Sequence, residues 1–416
     1  MGGVETYLNT IIPELSHAGH EVAFWSEVDE PAERERINLP PGSAAWCVSE
    51  LGAERAIRGL RDWQPTVTYT HNLSHPKLEA EIQRVAPSVF FAHDYYGTCI
   101  SGAKTFKYPV VKPCDRRFGW KCLLHYFPHR CGGWSPITMM RLYHLQSSRQ
   151  KLLHRYDAIV THSNHMLAEL IKHGLSPQSA YNFPYYVQQG NGRGLSSEPN
   201  QPAVAPSAPV VESARSDNAH SAQNEKKQLR LLFSGRMEFL KGGHIFLNAL
   251  PRVTAALGRH LHVVFAGEGR ERRAWEQQAA GLQRQHPELE IEFMGWVDRN
   301  RMDSLLDTSD LQVVPSLWPE PFGLVGPEAG LRGVPAAAFS VGGVPDWLID
   351  GVNGYLAPGD PPTAEGLADA IIRSLRDPLE HARLRQGAIK IAGQFSIRSH
   401  LAALMKVFEH VAARHQ

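Results

Sequence analysis

The sequence lacks a long apolar run, since no stretch approaches the roughly 20 residues that a helix needs to cross a bilayer. Its first residues, MGGVETYLNT, lack the basic start and apolar core of a secretory signal. It also lacks an excess of one charge, because the formal net charge is +1 over 416 residues, which argues against nucleic acid as a bulk electrostatic partner. These absences predict a cytoplasmic protein without a nucleic-acid partner.

Cysteine is scarce and unevenly placed. Four of the five cysteines, Cys99, Cys114, Cys122 and Cys131, crowd one segment. In a reducing compartment, thiols or a metal are favoured over disulfides. The spacing of Cys114, Cys122 and Cys131 matches no recognised zinc pattern, so a structural metal at these three residues is the less favoured interpretation.

What the chain does contain is an alternation of strand and helix patterns in two halves. Apolar stretches such as SVFFAHD and LRLLFSG alternate with amphipathic ones such as NHMLAELIKHG, which is typical of parallel α/β sheets. A length of 416 residues favours two domains. Between the halves, a stretch rich in Gly, Pro, Ser, Ala and Asn predicts a flexible linker over residues 188–228.

This pattern predicts a Rossmann-like domain over residues 1–187, another over 229–395, and a closing helix over 396–416 with Ser396 as its N-cap. The helix candidate GGVETYLNTIIPELSHAGH opens on a glycine pair, and such a loop normally follows a strand. Only Met1 precedes it, so we expect either a sheet that lacks its first strand or a misassigned start.

Two cations follow the first strand of the second half, in LRLLFSGRMEFLKGG. Ligands of open α/β sheets bind at the carboxyl ends of the strands, where Arg236 and Lys241 lie. Fixed cations there suit a diphosphate, since they can neutralise the charge on a departing phosphate oxygen. For an isolated pair, two solvated surface cations would be the preferred interpretation.

The stretch EPFGLVGPE sets two carboxylates, Glu320 and Glu328, at the ends of a loop without other charges. Pro327 is expected to begin a helix and Glu328 to lie in its first turn. Glu328 could then accept hydrogen bonds from a ribose diol and Glu320 from the hydroxyls of a second sugar. Taken alone, Glu328 would more simply complement the helix dipole.

Together, GGVE opening a helix, the GR…KGG stretch and the Glu-x7-Glu spacing resemble the retaining glycosyltransferases of family 4 (glycosyltransferase group 1). That resemblance implies an α/β protein of the GT-B fold, with two Rossmann-like domains whose parallel sheets face a central cleft. It implies that the first domain binds the acceptor and the second the nucleotide sugar. It also implies that the closing helix crosses back onto the first domain.

The resemblance implies a role for each matching residue. Arg236 and Lys241 would hold the donor diphosphate, Glu328 the ribose and Glu320 the transferred sugar, while His93 in FFAHD matches the active-site histidine. His71, in YTHN, is a weaker cleft candidate. The other donor-binding positions it implies, several of them through the backbone, are Gly2, Gly3, Gly295, Val297, Phe322, Gly323, Leu324 and Val325.

Two further absences agree with this interpretation. No Asp-x-Asp occurs, which disfavours the metal-dependent glycosyltransferase architecture. AGEGRER lacks the third glycine of a dinucleotide fingerprint, which disfavours a nicotinamide enzyme. The prediction is therefore a hexosyltransferase-type enzyme that needs no metal or cofactor.

The predicted substrates are a UDP- or GDP-sugar donor and a glycan, lipid-linked or small-molecule acceptor, and we expect a role in cell-surface polysaccharide or glycoconjugate synthesis. A catalytically silent nucleotide-sugar-binding protein and a GT-B epimerase or phosphorylase are the alternatives.

The cysteine-rich insert, residues 99–134, follows His93 and mixes cations with aromatic residues. Its position suggests acceptor recognition. Its composition would allow peripheral contact with the inner face of a membrane that carries a lipid-linked acceptor, although ordinary core and rim residues are the preferred interpretation.

Overall fold

A computed structural model describes residues 3–28, 37–187 and 228–415. Gly2 and the predicted linker, apart from Gln228, lie outside the described residues. We call the described residues up to 187 the N-terminal half and residues 228–395 the C-terminal half.

The strands are short in the N-terminal half and longer in the C-terminal half. In chain order they are β1 (Phe24–Ser26), β2 (Ala45–Cys47), β3 (Thr68–Thr70), β4 (Ser88–Phe91), β5 (Thr105–Phe106), β6 (Lys112–Pro113), β7 (Ala158–Thr161), β8 (Ala180–Asn182), β9 (Leu229–Ser234), β10 (Leu261–Ala266), β11 (Leu289–Gly295), β12 (Leu311–Val314), β13 (Ala336–Phe339) and β14 (Gly354–Ala357).

Helices separate most of these strands. They are α1 (Gly3–His17), α2 (Val48–Leu51), α3 (Ala53–Trp63), α4 (Pro76–Ile82), α5 (Lys121–Tyr126), α6 (Pro136–Leu153), α7 (Asn164–Lys172), α8 (Gly243–Leu257), α9 (Arg272–Gln285), α10 (Arg299–Thr308), α11 (Val325–Leu331), α12 (Ala364–Leu375), α13 (Pro378–Ala392) and α14 (Ile397–Ala413). None of the helices in the described residues is both long enough and apolar enough to cross a membrane.

The N-terminal half is built on a four-stranded parallel sheet in the order β3-β4-β7-β8. Every residue of β4 and β7 is buried, as expected for parallel strands that are covered on both faces. β1 and β2 pair with each other in a separate two-stranded sheet. The insert carries its own antiparallel hairpin, β5 with β6.

The C-terminal half is built on a six-stranded sheet in the order β11-β10-β9-β12-β13-β14, with parallel pairing throughout. The chain moves outward from β9 to β10 and β11, then returns to the other side of β9 with β12. Strand order therefore reverses between β9 and β12, and the crevice at their carboxyl ends is where ligands of such sheets bind.

The last helix joins the two halves. Ser396 caps α14 by accepting a hydrogen bond from the Ser399 backbone N–H, which confirms the cap predicted from the sequence. α14 then packs against α1 and β4 of the N-terminal half. It therefore fixes one side of the space between the two sheets.

Candidate active site

A cavity of about 340 Å³ lies between the two halves, at the carboxyl ends of β9 and β12. The structure brings together there seven residues that the sequence singled out. They are His93, Lys241, Glu320, Phe322, Gly323, Leu324 and Val325.

An ion pair forms the charged wall of this cavity. The Lys241 Nζ lies 2.6 Å from Glu320 Oε1, and it also lies 5.2 Å from the centre of the Trp318 ring. Glu320 is 6% exposed, whereas the Lys241 side chain is 23% exposed. The carboxylate is thus largely withdrawn from water, and the ammonium keeps an open side.

Backbone contacts explain why these residues meet although they are 79 positions apart. Gly242 has φ +73°, and a Cβ there would lie 1.8 Å from the Pro315 carbonyl oxygen, so only glycine permits this approach. The N–H of Leu317 donates to the Leu240 carbonyl at 2.8 Å. The loop after β9 is therefore bonded directly to the loop after β12.

The loop that carries Glu320 is held from three sides. The backbone carbonyl of Glu320 accepts a hydrogen bond from the Gly343 N–H at 2.6 Å. The Trp347 Nε1–H donates to the Phe322 carbonyl, and the Tyr95 hydroxyl of the N-terminal half donates to the Pro319 carbonyl, both at 2.6 Å. Such fixed positions suit groups that must orient a ligand.

Of the other predicted donor residues that the structure describes, Arg236, Gly295, Val297 and Glu328 lie outside the cavity lining. Arg236 is solvent-exposed on the loop after β9. Gly295 is the last residue of β11 and Val297 follows that strand, which lies at the edge of the sheet beyond β10. Gly3 begins α1, and its neighbour Val4 lines the cavity.

Glu328 lies on α11, one helical turn after Val325. The helix begins at Val325, so the expectation that Pro327 begins it was wrong by two residues. The Glu328 carboxylate lies 3.7 Å from Arg299 Nη1. Withdrawal from water raises its pKa, an effect that Arg299 opposes and Asp303 reinforces. The Glu328 side chain is 32% exposed, so a ligand hydroxyl can reach it.

On the N-terminal wall, His93 is bonded through both ring nitrogens. Its Nε2 lies 2.7 Å from His71 Nδ1, and its Nδ1 lies 2.6 Å from the Tyr185 hydroxyl. Burial lowers the pKa of His93 well below its usual value and that of His71 to about 3. Both rings are therefore neutral at pH 7 and offer hydrogen bonds rather than charge.

Four residues that the sequence analysis did not single out also line this wall, namely Asn72, Asp94, His162 and Tyr185. The Asn72 amide donates to Asp94 Oδ2 at 3.0 Å, and burial raises the Asp94 pKa. His162 is 2% exposed, its Nδ1 has no hydrogen-bond partner among the described residues, and its pKa is lowered to about 3.

A sequence signal for these residues did exist. Asn72, Asp94 and His162 follow strands of the N-terminal sheet by two, three and one residues, at the edge where its ligands are expected. Tyr185 follows β8 by three residues. A survey of polar residues within three positions of a strand end would have included all four.

The insert is anchored below this wall. Lys104 and Glu169 form an ion pair with side chains only 2% and 3% exposed. The Lys104 Nζ also donates to the Arg116 carbonyl at 2.5 Å, and the Phe118 N–H donates to His173 Nε2 at 2.8 Å. These bonds tie the insert firmly to α7.

The cysteines of the insert are free thiols. Burial raises the pKa of Cys114 to about 11 and that of Cys131 to about 12, so both remain protonated at pH 7. No group of three or more His, Cys, Asp or Glu side chains is placed to hold a metal ion in the residues described.

Two family profiles match most of the chain between them. Residues 1–181 match "Glycosyltransferase Family 4", and residues 215–391 match "Glycosyl transferases group 1". The two matched segments correspond to the two halves of the structure.

Among curated relatives, the glycogen synthase of Mycobacterium tuberculosis is 34% identical over 185 residues, which are 43% of this chain and 42% of the relative. A phosphatidyl-myo-inositol mannosyltransferase of Mycobacterium leprae is 30% identical over 183 residues, 44% of this chain and 46% of the relative. The matches thus span less than half the length of these relatives.

Solved structures match along almost the whole chain. HepE of Anabaena in complex with UDP and glucose has a TM-score of 0.62 at 17% identity, covering 98% of this chain and 96% of that one. Sucrose-phosphate synthase from Thermosynechococcus elongatus has a TM-score of 0.65 at 17% identity, covering 99% and 94%. The predicted GT-B fold is confirmed.

Proposed function

The chain belongs to the group 1 and family 4 glycosyltransferases, and from this premise we propose that it is a retaining, metal-independent hexosyltransferase. Its donor is a UDP- or GDP-sugar, and its acceptor is a glycan, a lipid-linked sugar or a small molecule. Its product serves the synthesis of cell-surface polysaccharide or glycoconjugate. We place it in the cytoplasm, at the inner face of the membrane.

The observation that carries this proposal is the Lys241–Glu320 pair on the cavity wall, opposite His93. A diphosphate in the cavity would share the open side of the Lys241 ammonium, and Arg236 would add a second cation from the exposed loop nearby. Fixed cations stabilise the charge that grows on the leaving oxygen. Glu320 then accepts hydrogen bonds from hydroxyls of the sugar.

The opposite wall supports the acceptor side of the proposal. His93 is neutral, so it does not attract the diphosphate away from Lys241, and its two ring nitrogens hold His71 and the Tyr185 hydroxyl in place on the acceptor side. Asp94 offers a carboxylate beside it. The departing phosphate, held by the cations, takes the proton of the attacking acceptor hydroxyl, so that attack occurs on the face the leaving group has just vacated and configuration is retained.

Donor binding and turnover test this proposal directly. A panel of UDP- and GDP-sugars is screened by thermal shift, and the donor that binds is incubated with oligosaccharide and lipid-linked acceptors. We expect Lys241→Ala and Arg236→Ala each to reduce kcat/KM by about 100-fold, as removal of one transition-state stabilising group does. Lys390→Ala, an exposed lysine on α13, is the matched control and should keep wild-type turnover.

The product distinguishes the proposal from its competitors. NMR of the new glycosidic bond should show the anomeric configuration of the donor. Inversion, turnover that survives Lys241→Ala, or tight donor binding without any transfer would each contradict the proposal. A sugar epimerised in the absence of acceptor would assign different chemistry to the same fold.

A further inference from the structure

Large apolar side chains are exposed together on the insert and the first turns of α6. Trp134 is 71% exposed and Ile137 81% exposed. We define the insert face as the exposed apolar residues Tyr108, Val110, Trp120, Leu124, Trp134, Ile137 and Met140, together with the exposed lysine and arginine side chains that lie among them. Contiguous apolar exposure of this kind marks an interaction surface more often than it marks ordinary surface.

Ring contacts and helical spacing join several members of the insert face. The Arg130 guanidinium stacks 4.6 Å from the Tyr108 ring centre and 5.5 Å from that of Trp134. Trp134 also stacks with Phe127. Trp120 and Leu124 are four residues apart at the start of α5 and share one side of that helix.

The charge of this region sets it apart from the rest of the molecule. Residues 99–141 contain eight lysines and arginines and a single acidic residue, Asp115, whereas the whole chain is nearly neutral. Positive neighbours are close enough to act on this region, since partial withdrawal from water lowers the pKa of His125 and the charges of Arg116 and Lys121 lower it further. The insert face is therefore apolar and strongly basic at once.

This combination favours one kind of partner. Protein–protein interfaces are depleted in lysine although they are enriched in arginine, whereas this region exposes Lys112 and Lys121 together with its arginines. Aromatic and aliphatic side chains flanked by Lys and Arg are what an anionic lipid surface binds, because the rings enter the headgroup layer while the cations remain with the phosphates.

The insert face is also rigidly joined to the cavity. The insert starts six residues after His93, and the buried Lys104–Glu169 pair fixes it to α7. Tyr95, between His93 and the insert, donates to the Pro319 carbonyl in the loop that carries Glu320. A surface bound to the insert face would thus be held in a constant position relative to the N-terminal wall.

We propose that the insert face binds the surface of an anionic lipid bilayer and so holds the cavity beside it. The binding itself stands on the composition and geometry of the face. The further conclusion, that the acceptor is carried by a lipid, rests on the proposed glycosyltransferase function.

Vesicle co-sedimentation of the full chain tests the binding without any need for turnover. We expect sedimentation with vesicles of equal parts phosphatidylglycerol and phosphatidylcholine, weakened by salt, and little with phosphatidylcholine alone. Reversing two cations, Lys121→Glu with Arg130→Glu, should lower vesicle affinity by about tenfold or more. The matched control reverses two exposed cations of the C-terminal half, Arg376→Glu with Lys390→Glu, and should leave affinity unchanged.

The apolar part of the insert face has its own matched pair. Ile137→Ser should lower vesicle affinity several-fold, whereas Leu379→Ser, which changes an 83% exposed leucine on α13, should not. The proposal would be wrong if the protein bound neutral and anionic vesicles with equal affinity. It would also be wrong if an insert-face variant and its matched control lost vesicle affinity to the same extent.

Two outcomes separate this proposal from its competitors. If the Ile137→Ser variant dissociates a dimer seen by analytical ultracentrifugation and vesicle binding is unchanged, the insert face binds a second copy and the proposal is wrong. If vesicle binding fails in the wild type but transfer to a soluble acceptor persists, the surface proposal falls and the enzymatic one stands. Vesicle binding without transfer to any acceptor supports the surface and contradicts the proposed function.

Discussion

The two halves each hold a Lys–Glu ion pair of low exposure, and the two pairs differ in what surrounds them. In the N-terminal half, Glu169 meets Lys104, with Lys172 at 3.2 Å and His173 at 3.3 Å, so the charges are enclosed by partners. In the C-terminal half, Lys241 and Glu320 face a cavity. The same pair of residue types is enclosed in one half and open to a cavity in the other, where we propose that it binds a ligand.

We expect the largest change in unfolding free energy at the enclosed Lys104–Glu169 pair. Lys104→Met leaves the Glu169 carboxylate in the interior without its main partner, and breaking a buried pair in this way costs about 3–5 kcal/mol of unfolding free energy. Urea denaturation followed by circular dichroism measures the loss. The double variant Lys104→Met with Glu169→Leu should recover much of it, because no buried charge then remains.

A loss below about 1 kcal/mol in the single variant would show that water reaches Glu169. The two pairs would then be alike, and the comparison would fail.

Buried histidines provide the next test of how the two halves differ. The histidines that line the cavity come from the N-terminal half. Burial lowers the pKa of His71 and His162 to about 3 and that of His400, on α14, to about 4. The unfolded chain binds protons near pH 6.5 and the folded one does not, so stability falls as the pH drops from about 7 toward 4.

Each of these histidines should cost about 1–2 kcal/mol of unfolding free energy between pH 7 and pH 5. His400→Gln should therefore show a smaller loss than the wild type in denaturation at the two pH values. An identical pH dependence in the two proteins would mean that His400 is not held neutral in the folded state.

We expect the smallest change in unfolding free energy at the Lys241–Glu320 pair, which faces the cavity. Lys241→Met should cost about 1 kcal/mol, because water in the cavity can replace the ammonium beside Glu320. It should also abolish the thermal shift that the donor induces, which Lys104→Met should retain. The reverse pattern, in which Lys104→Met loses the donor response and Lys241→Met keeps it, would reject the assignment of the two pairs.

The cavity wall that carries Lys241 and Glu320 was largely predictable from the sequence, since its residues are contiguous in two loops. Lys241 and Glu320 were each singled out for a separate ligand group. Their contact with one another was not foreseen, because it depends on Gly242 lying against the Pro315 carbonyl, far along the chain. Motifs identify the residues of a site, whereas backbone contacts determine their distances.

The N-terminal wall of the cavity was less predictable from the sequence, for a physical reason. His93 was found, but its bonds to His71 and Tyr185 join residues up to 92 positions apart that share no motif. The Lys104–Glu169 pair also escaped notice, because a lysine in the basic insert and a glutamate on a helix both read as surface residues. The α/β class and the GT-B fold were within reach because alternating strands and helices repeat across both halves.

The two places where the chain passes between the halves lie side by side. The Val187 N–H, at the end of the described N-terminal half, donates to the Phe395 carbonyl at 2.9 Å, just before α14. At the opposite rim, the Tyr95 hydroxyl bonds to the Pro319 carbonyl, and Asn164 bonds to Asp346 through its backbone N–H at 2.6 Å. A rotation that widens the cavity must pivot near residues 187 and 395 and release these rim bonds first. Each such bond is worth about 1 kcal/mol net, and the same rotation must also part the rings of Tyr185 and Phe322, whose centres lie 5.9 Å apart across the two halves.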